Sequence, residues 1–306
     1  MYFSQGLFKR GDWAKASKIP LTILAGGSGN GLARTLVFEN GEEYGKSQGV
    51  LETTLNLITG NVRAMDVMAV QTRSGHNAIS FLSVGWGFFA DCDIESEAIR
   101  FLGEPRFALW AFLRVASLRH YRAKLSYKRA KPRVSQKSFR SSSAPTGEDS
   151  AASGSWRELN DYPSADSARV NLPVDSGDFD LPPFDQPLTG DEWTVREDEF
   201  VMVYAINTAY IGATLFIAPK AKLDDGVIWL LVIRKGVSKM ELFDILFSIE
   251  NGEHVGKPGV ELVPVSAFRL EPDLSQKGHI TLDGELLPYE PIQVQILPSH
   301  INLMTK

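Results

Sequence analysis

Apolar and polar positions change their rhythm three times along this 306-residue chain. Residues 1–19 read as a short helical lead, and the apolar run at 20–25 (PLTILA), ending in glycines, predicts a buried strand. A helix is expected to open near Leu32, and Val50, Leu51, Leu55 and Ile58 keep helical spacing. Strands are predicted at 62–70 and 78–84, with Ser74-Gly75 turning between them. Residues 107–121 are amphipathic, with Phe107, Trp110, Leu113, Ala116 and Leu118 on the packing face and Arg114, Arg119 and His120 flanking it. Two readings fit this segment: a core helix with solvated arginines, or an interfacial helix touching lipid headgroups.

From 128 to 198 the rhythm stops. Ser, Pro, Gly, Asp and Glu dominate, basic at first and then acidic. Such a stretch cannot bury enough apolar surface to offset its ordering entropy, so it predicts a disordered insertion. Strand-like runs resume at 200–206, 227–233, 260–265, 279–282 and 291–297, interrupted by one helix at 238–251 with Ser238 as its cap and Gly252 after its end. Strands following one another without alternating helices predict a mainly antiparallel sandwich. The fold class is therefore an α/β region over 1–64 followed by a β-sandwich domain with helices over 65–306, the insertion lying inside it.

Composition narrows the function classes. The 43% apolar content is that of a globular chain, and a net charge of −5 disfavours a general nucleic-acid binder. The single cysteine, Cys92, excludes an internal disulfide and a cysteine zinc cluster, and a reducing, cytoplasmic setting follows. No signal peptide is legible, and 200–219 reads as a strand and loop rather than a membrane span, so membrane contact is expected to be peripheral.

Candidate chemistry concentrates in SVGWGFFADCDIESEAIRFLGEPRF, residues 83–107. A glycine-containing aromatic run turns acidic at Asp91, Asp93, Glu95 and Glu97, then ends with Arg100 and Arg106. A buried strand entering a helix with an acidic first turn explains the pattern. So does a ligand with an apolar body, a polar head and a nearby phosphate, the arginine fork being suited to the last. Gly26-Gly27-Ser28-Gly29-Asn30-Gly31, between a strand and a helix, is either a tight turn or an anion cradle. Asp283-Gly284-Glu285 is a hairpin signal, and Asp224-Asp225-Gly226 reads as a polar turn.

In sequence order these elements resemble the sphingosine kinases, within the diacylglycerol-kinase-like superfamily: WGFxADxDxESExxRxLGExRF at 86–107, GGSGNGLA at 26–33 and a C-terminal Asp-Gly-Glu. The resemblance implies a lipid-kinase and NAD-kinase-like two-domain fold. It also implies ATP- and Mg²⁺-dependent phosphorylation of the primary hydroxyl of a sphingoid base, giving sphingosine 1-phosphate at a membrane surface. Carried over residue by residue, Asp93 would receive the amino and hydroxyl head, and Phe88, Phe89 and Phe107 would line the pocket near it. Leu242, Ile245, Ile249 and His254 would enclose the alkyl tail. Gly27, Ser28, Gly29, Asn30, Arg100, Arg106, Asp283, Gly284 and Glu285 would hold the nucleotide, with the metal's ligands unassigned.

One family element is missing. The Gly-Asp-Gly loop implied to carry the catalytic base has no counterpart, since Gly11-Asp12 is followed by Trp13. The expectation is an N-terminally truncated kinase with little turnover of its own. A catalytically silent lipid-binding remnant, or a diacylglycerol or ceramide kinase, are the other readings, and Asp93 suits an ammonium head better than a neutral one.

Overall fold

The computed structural model describes residues 6–8, 10–27, 29–42, 44, 46–103, 105–133 and 179–306; for 46–49, 52, 59 and 100 it describes the backbone alone. After a helical turn at Trp13–Ala16 come helices α1 (Gly31–Glu39) and α2 (Lys46–Thr59). Leu32 and Leu36 of α1 pack with Met65, Val67, Ile79, Leu297, Ile301 and Leu303, which seats the helix on the strands that follow. The strand expected at 20–25 shrinks to one parallel bridge, Leu21 with Leu303. Ile19 and Leu24 are exposed, so the run lacks the second buried face that would make it a strand.

Among the described residues ten strands form one antiparallel system: β1 (Asn61–Thr72), β2 (Asn77–Ser80), β3 (Ser83–Gly87), β4 (Tyr121–Arg129), β5 (Trp193–Ile206), β6 (Ile228–Arg234), β7 (Val260–Pro272), β8 (Ile280–Leu282), β9 (Glu285–Leu287) and β10 (Ile292–Thr305). The long strands β5 and β7 each serve two partnerships. β5 pairs with β4 through its first half and lies between β3 and β6 through its second. β7 pairs first with β6, then with β4 and β10. The ladder β4–β5–β6–β7 thus closes on itself, and the sandwich expected from consecutive strands is present.

Side-chain alternation separates the two cores. Ile228, Leu230 and Val232 of β6 enter an interior cluster with Trp86, Leu125, Phe200 and Phe268. Trp229, Leu231 and Ile233 point the other way, with Met202, Tyr204 and Ile206 of β5. Both faces are buried, and for that reason the run IWLLVI shows no polar alternation. Three helices cover the second face: α3 (Phe88–Glu95), α4 (Pro105–Ala116) and α5 (Lys239–Ser248). Ser238 caps α5 in a reciprocal box with Glu241, as its sequence promised.

Three expectations need correction. The strand predicted at 78–84 is two strands, β2 and β3, parted at Phe81 and Leu82. The insertion's predicted ends are too generous: Lys128 pairs with Trp193 and Ser126 with Val195, so both rims of 128–198 are sheet. Residues 134–178 of it lie outside the described residues. The face assigned to 107–121 is also rotated. Arg114 and Val115 are buried while Leu113 and Ala116 are exposed, because a carboxylate beneath the helix recruits the arginine.

Candidate active site

Gly87 ends β3 at φ 84°, and a Cβ there would stand 2.5 Å from the Val201 carbonyl oxygen. Only glycine makes this turn without strain, and the turn launches α3 across the end of the sheet. Asp93, on the second turn of α3, is half-buried. Its side chain has no hydrogen bond among the described residues; the one bond at this residue runs from Ser96 Oγ to its backbone carbonyl. Burial pushes its carboxyl up to about 7, against a pull from Arg106 and a push from Glu97. A desolvated carboxylate without donors is a costly arrangement, and it suits a cationic ligand group.

The residues assigned to the lipid gather around one apolar cluster. Phe88, Leu242, Ile245 and Ile249 belong to it and Phe89 packs against it, so α3 and α5 enclose the same volume against β5 and β6. Phe89 meets Tyr204 edge-on at 5.3 Å, and Asp93 is among the charges acting on that tyrosine. Phe107 lies under the Arg106 guanidinium at 4.4 Å. His254 is fully buried, its Nε2 donating to the Ile217 carbonyl at 2.9 Å. Burial lowers its pKa, so the ring is neutral and Nδ1 carries a lone pair with no donor among the described residues.

On the phosphate side, Arg106 is half-buried and pairs with Glu97, while the side chain of Arg100 lies outside the described residues. In the glycine loop, Asn30 adopts a left-handed backbone, accepts from Gly27 N at 3.1 Å and donates back to the Gly27 carbonyl at 2.6 Å. Ser28 lies outside the described residues. No side chain caps α1; Asn30 instead bridges to Gly212, and Gly31 packs against the Ile211 backbone.

The Asp-Gly-Glu turn divides its roles. Asp283 and Gly284, at φ 50° and 85°, make the hairpin between β8 and β9. The Asp283 carboxylate is taken by Ser80 Oγ at 2.7 Å and the amides of Leu82 and Ser83 at 3.0 Å, holding the break between β2 and β3. Its oxygens thus serve the fold, whereas Glu285 is exposed. Asp224-Asp225-Gly226 is a turn, as read. Burial pushes Asp225 up to about 6 even though Trp229 Nε1 donates to it at 2.9 Å.

Sequence reasoning gave no site role to Asp91, Arg114, Tyr121 or His279, which meet beneath α3. It also passed over Asp66, whose inward carboxylate accepts from the amides of Gly226 and Ser299 at a bulge in β1. The one available signal was an Asp or Arg set among apolar neighbours.

Comparison with known proteins places this architecture. The model of the YegS C-terminal NAD kinase beta sandwich-like domain matches residues 179–305. Sphingosine kinase 1 of Homo sapiens is 36% identical over 299 residues, covering 96% of this chain and 70% of the human protein. The chain belongs to the sphingosine kinase family. Sphingosine kinase 2 of Homo sapiens is 30% identical, with 98% of this chain and 60% of that one aligned. The crystal structure of a candidate diacylglycerol kinase from Bacillus anthracis str. Sterne superposes with a TM-score of 0.57 at 17% identity, covering 99% of this chain and 72% of the other. That likeness is one of fold. Membership in the sphingosine kinase family makes this a lipid-kinase chain with the two-domain lipid- and NAD-kinase-like architecture, its sandwich built over 61–305 and its glycine loop before α1.

Proposed function

We propose that this chain carries the substrate-binding part of a kinase that moves the terminal phosphoryl group of ATP to the primary hydroxyl of a sphingoid base. The observation that carries the reading is Asp93, a desolvated carboxylate with no donor among the described residues, at the edge of an apolar cluster built from three helices and two strands. A protonated amine would supply the charge that Asp93 lacks, and the tail would enter between α3 and α5. Each methylene removed from water contributes about 0.8 kcal/mol, so a long chain needs few polar contacts. A neutral diacylglycerol or ceramide head offers Asp93 no cation, and this favours the amine.

The Gly27–Asn30 turn would help cradle phosphate, with Arg106 supplying charge to the same anion and Glu285 the exposed carboxylate of the Asp-Gly-Glu turn. Arg106 would exchange Glu97 for phosphate. Mg²⁺, an oxygen-seeking ion, would offset charge on the phosphoryl group. No side chain of these 306 residues is proposed as the base, since the Gly-Asp-Gly element is not among them; by themselves they bind without appreciable turnover. The division expected at about residue 64 falls inside β1, so the nucleotide-side segment ends where that strand opens the lipid-side sandwich at Asn61.

We read the protein as cytoplasmic and peripheral to membranes. Among the described residues no helix is long and apolar enough to cross a membrane. Yet α4 exposes Leu109, Phe112 and Leu113 beside Met240 and Phe247 of α5, and the two helices touch through Phe112 and Phe243. An apolar face beside a lipid-binding cluster suits a bilayer surface. Titrating the chain with sphingosine, ceramide and diacylglycerol in mixed micelles tests the reading: sphingosine should bind at least tenfold more tightly, and equal affinity for all three would end it.

A further inference from the structure

Behind Asp93, on the same helix, sits a second carboxylate with the opposite surroundings. Asp91 is fully buried. Its Oδ2 accepts from Arg114 Nη2 at 2.9 Å and from the Tyr121 hydroxyl, and its Oδ1 lies 3.0 Å from His279 Nδ1. One turn on, Glu95 accepts from Trp110 Nε1 at 3.1 Å and from Arg119 Nη1 at 2.7 Å. Asp91 and Glu95, four apart, share a helix face, whereas Asp93 is about 200° round from Asp91.

The donors come from α4, from β4 and the residue pair before it, and from the approach to β8. Trp110 and Arg114 belong to α4, whose first turn carries Arg106 and Phe107. Tyr121 opens β4, and His279 immediately precedes β8, which ends at the Asp283-Gly284 turn. Ligand atoms of Asp91, Glu95 and His279 all lie within 4.8 Å of one another, a spacing a metal ion would accept. Their lone pairs, however, already face two guanidinium groups, a phenol and an indole N–H, and a dication would sit against Arg114 and Arg119. The chemistry is that of an organic clamp.

We propose that Asp91 is a positioning residue: through Arg114, Tyr121 and His279 it sets the rotation of α3, and so holds Asp93 at the mouth of the lipid cluster opposite Arg106. Asp91 touches no lipid. The half-turn of helix between them transmits its restraint, and losing it lets Asp93 rotate towards water, where the carboxylate is better solvated. This inference rests on the reading that Asp93 receives the amine.

The test is a double-mutant cycle on sphingosine affinity, measured with the 306-residue chain in mixed micelles, alongside thermal unfolding. Asp91→Asn leaves Arg114 buried opposite a neutral amide and is expected to lose stability as well. His279→Ala, at a half-buried position, is the milder variant that keeps the fold. At a temperature where every variant is folded, His279→Ala should weaken sphingosine binding three- to tenfold in the parent chain and leave it unchanged in the Asp93→Asn background. Wild-type affinity for His279→Ala, or equal losses in both backgrounds, overturns the positioning role even if Asp93→Asn binds poorly. Wild-type affinity for Asp93→Asn removes the amine reading, and the positioning role with it. A fall in affinity on adding EDTA would show that the cluster holds a metal and end the proposal.

Discussion

Asp91 and Asp93 lie two residues apart on one two-turn helix, yet Asp91 is held by three side-chain donors and Asp93 by none among the described residues. On the reading proposed above, the first carboxylate organises the protein and the second receives the ligand.

Replacing Asp93 by Asn should therefore stabilise the ligand-free protein while weakening sphingosine binding at least tenfold. Raising a carboxyl from 3.8 to about 7 means that its ionised form opposes folding at neutral pH. At about 1.4 kcal/mol per pH unit, reduced by local solvation, the gain is about 1–4 kcal/mol. Calorimetric Tm and micelle binding, measured on the same sample, check both halves.

The pH dependence has a defined sign. Only ionised Asp93 pairs with an ammonium head, so affinity should be level above about pH 7 and fall up to tenfold per unit below it. Stability of the ligand-free chain should move oppositely, rising as pH falls from above 7 towards 4. Asp225, pushed up to about 6, adds to that rise. In Asp93→Asn the affinity slope should vanish and the stability slope shrink.

Neighbouring acids of the hairpin turn should behave differently. Asp283→Ala removes the acceptor for Ser80, Leu82 and Ser83 and leaves buried donors unpaired, lowering stability by about 2–4 kcal/mol. Glu285→Ala, at an exposed site, should leave Tm within a degree or two and weaken only Mg²⁺-nucleotide binding. Chemical denaturation and nucleotide titration distinguish the two.

Ser238→Ala removes the capping box of α5 and should cost about 1 kcal/mol. Because Leu242 and Ile245 of that helix line the apolar cluster, long-chain bases should lose more affinity than short-chain ones. A uniform loss across chain lengths would place the tail elsewhere. Gly87→Ala is expected to be severe, since both its positive φ and the Val201 carbonyl exclude a Cβ.

Much of this protein is local information. The capped helix after Val237, the Asp283-Gly284 hairpin, the apolar run of β6 and the composition break after residue 128 each follow from residues adjacent in sequence. The family pattern at 86–107 is equally local. Tertiary structure decided what neighbours could not: that Arg114 turns inward because Asp91 lies beneath it, that Asp283 serves the β2–β3 break, and that 20–25 has only a single partner on β10. It also joined β4, β5, β6 and β7 into a closed ladder. The physical reason is that a propensity or a turn depends on a few consecutive residues. Whether a carboxylate is paired or stranded depends on which donors distant segments bring within 3 Å, and on whether water can still reach it.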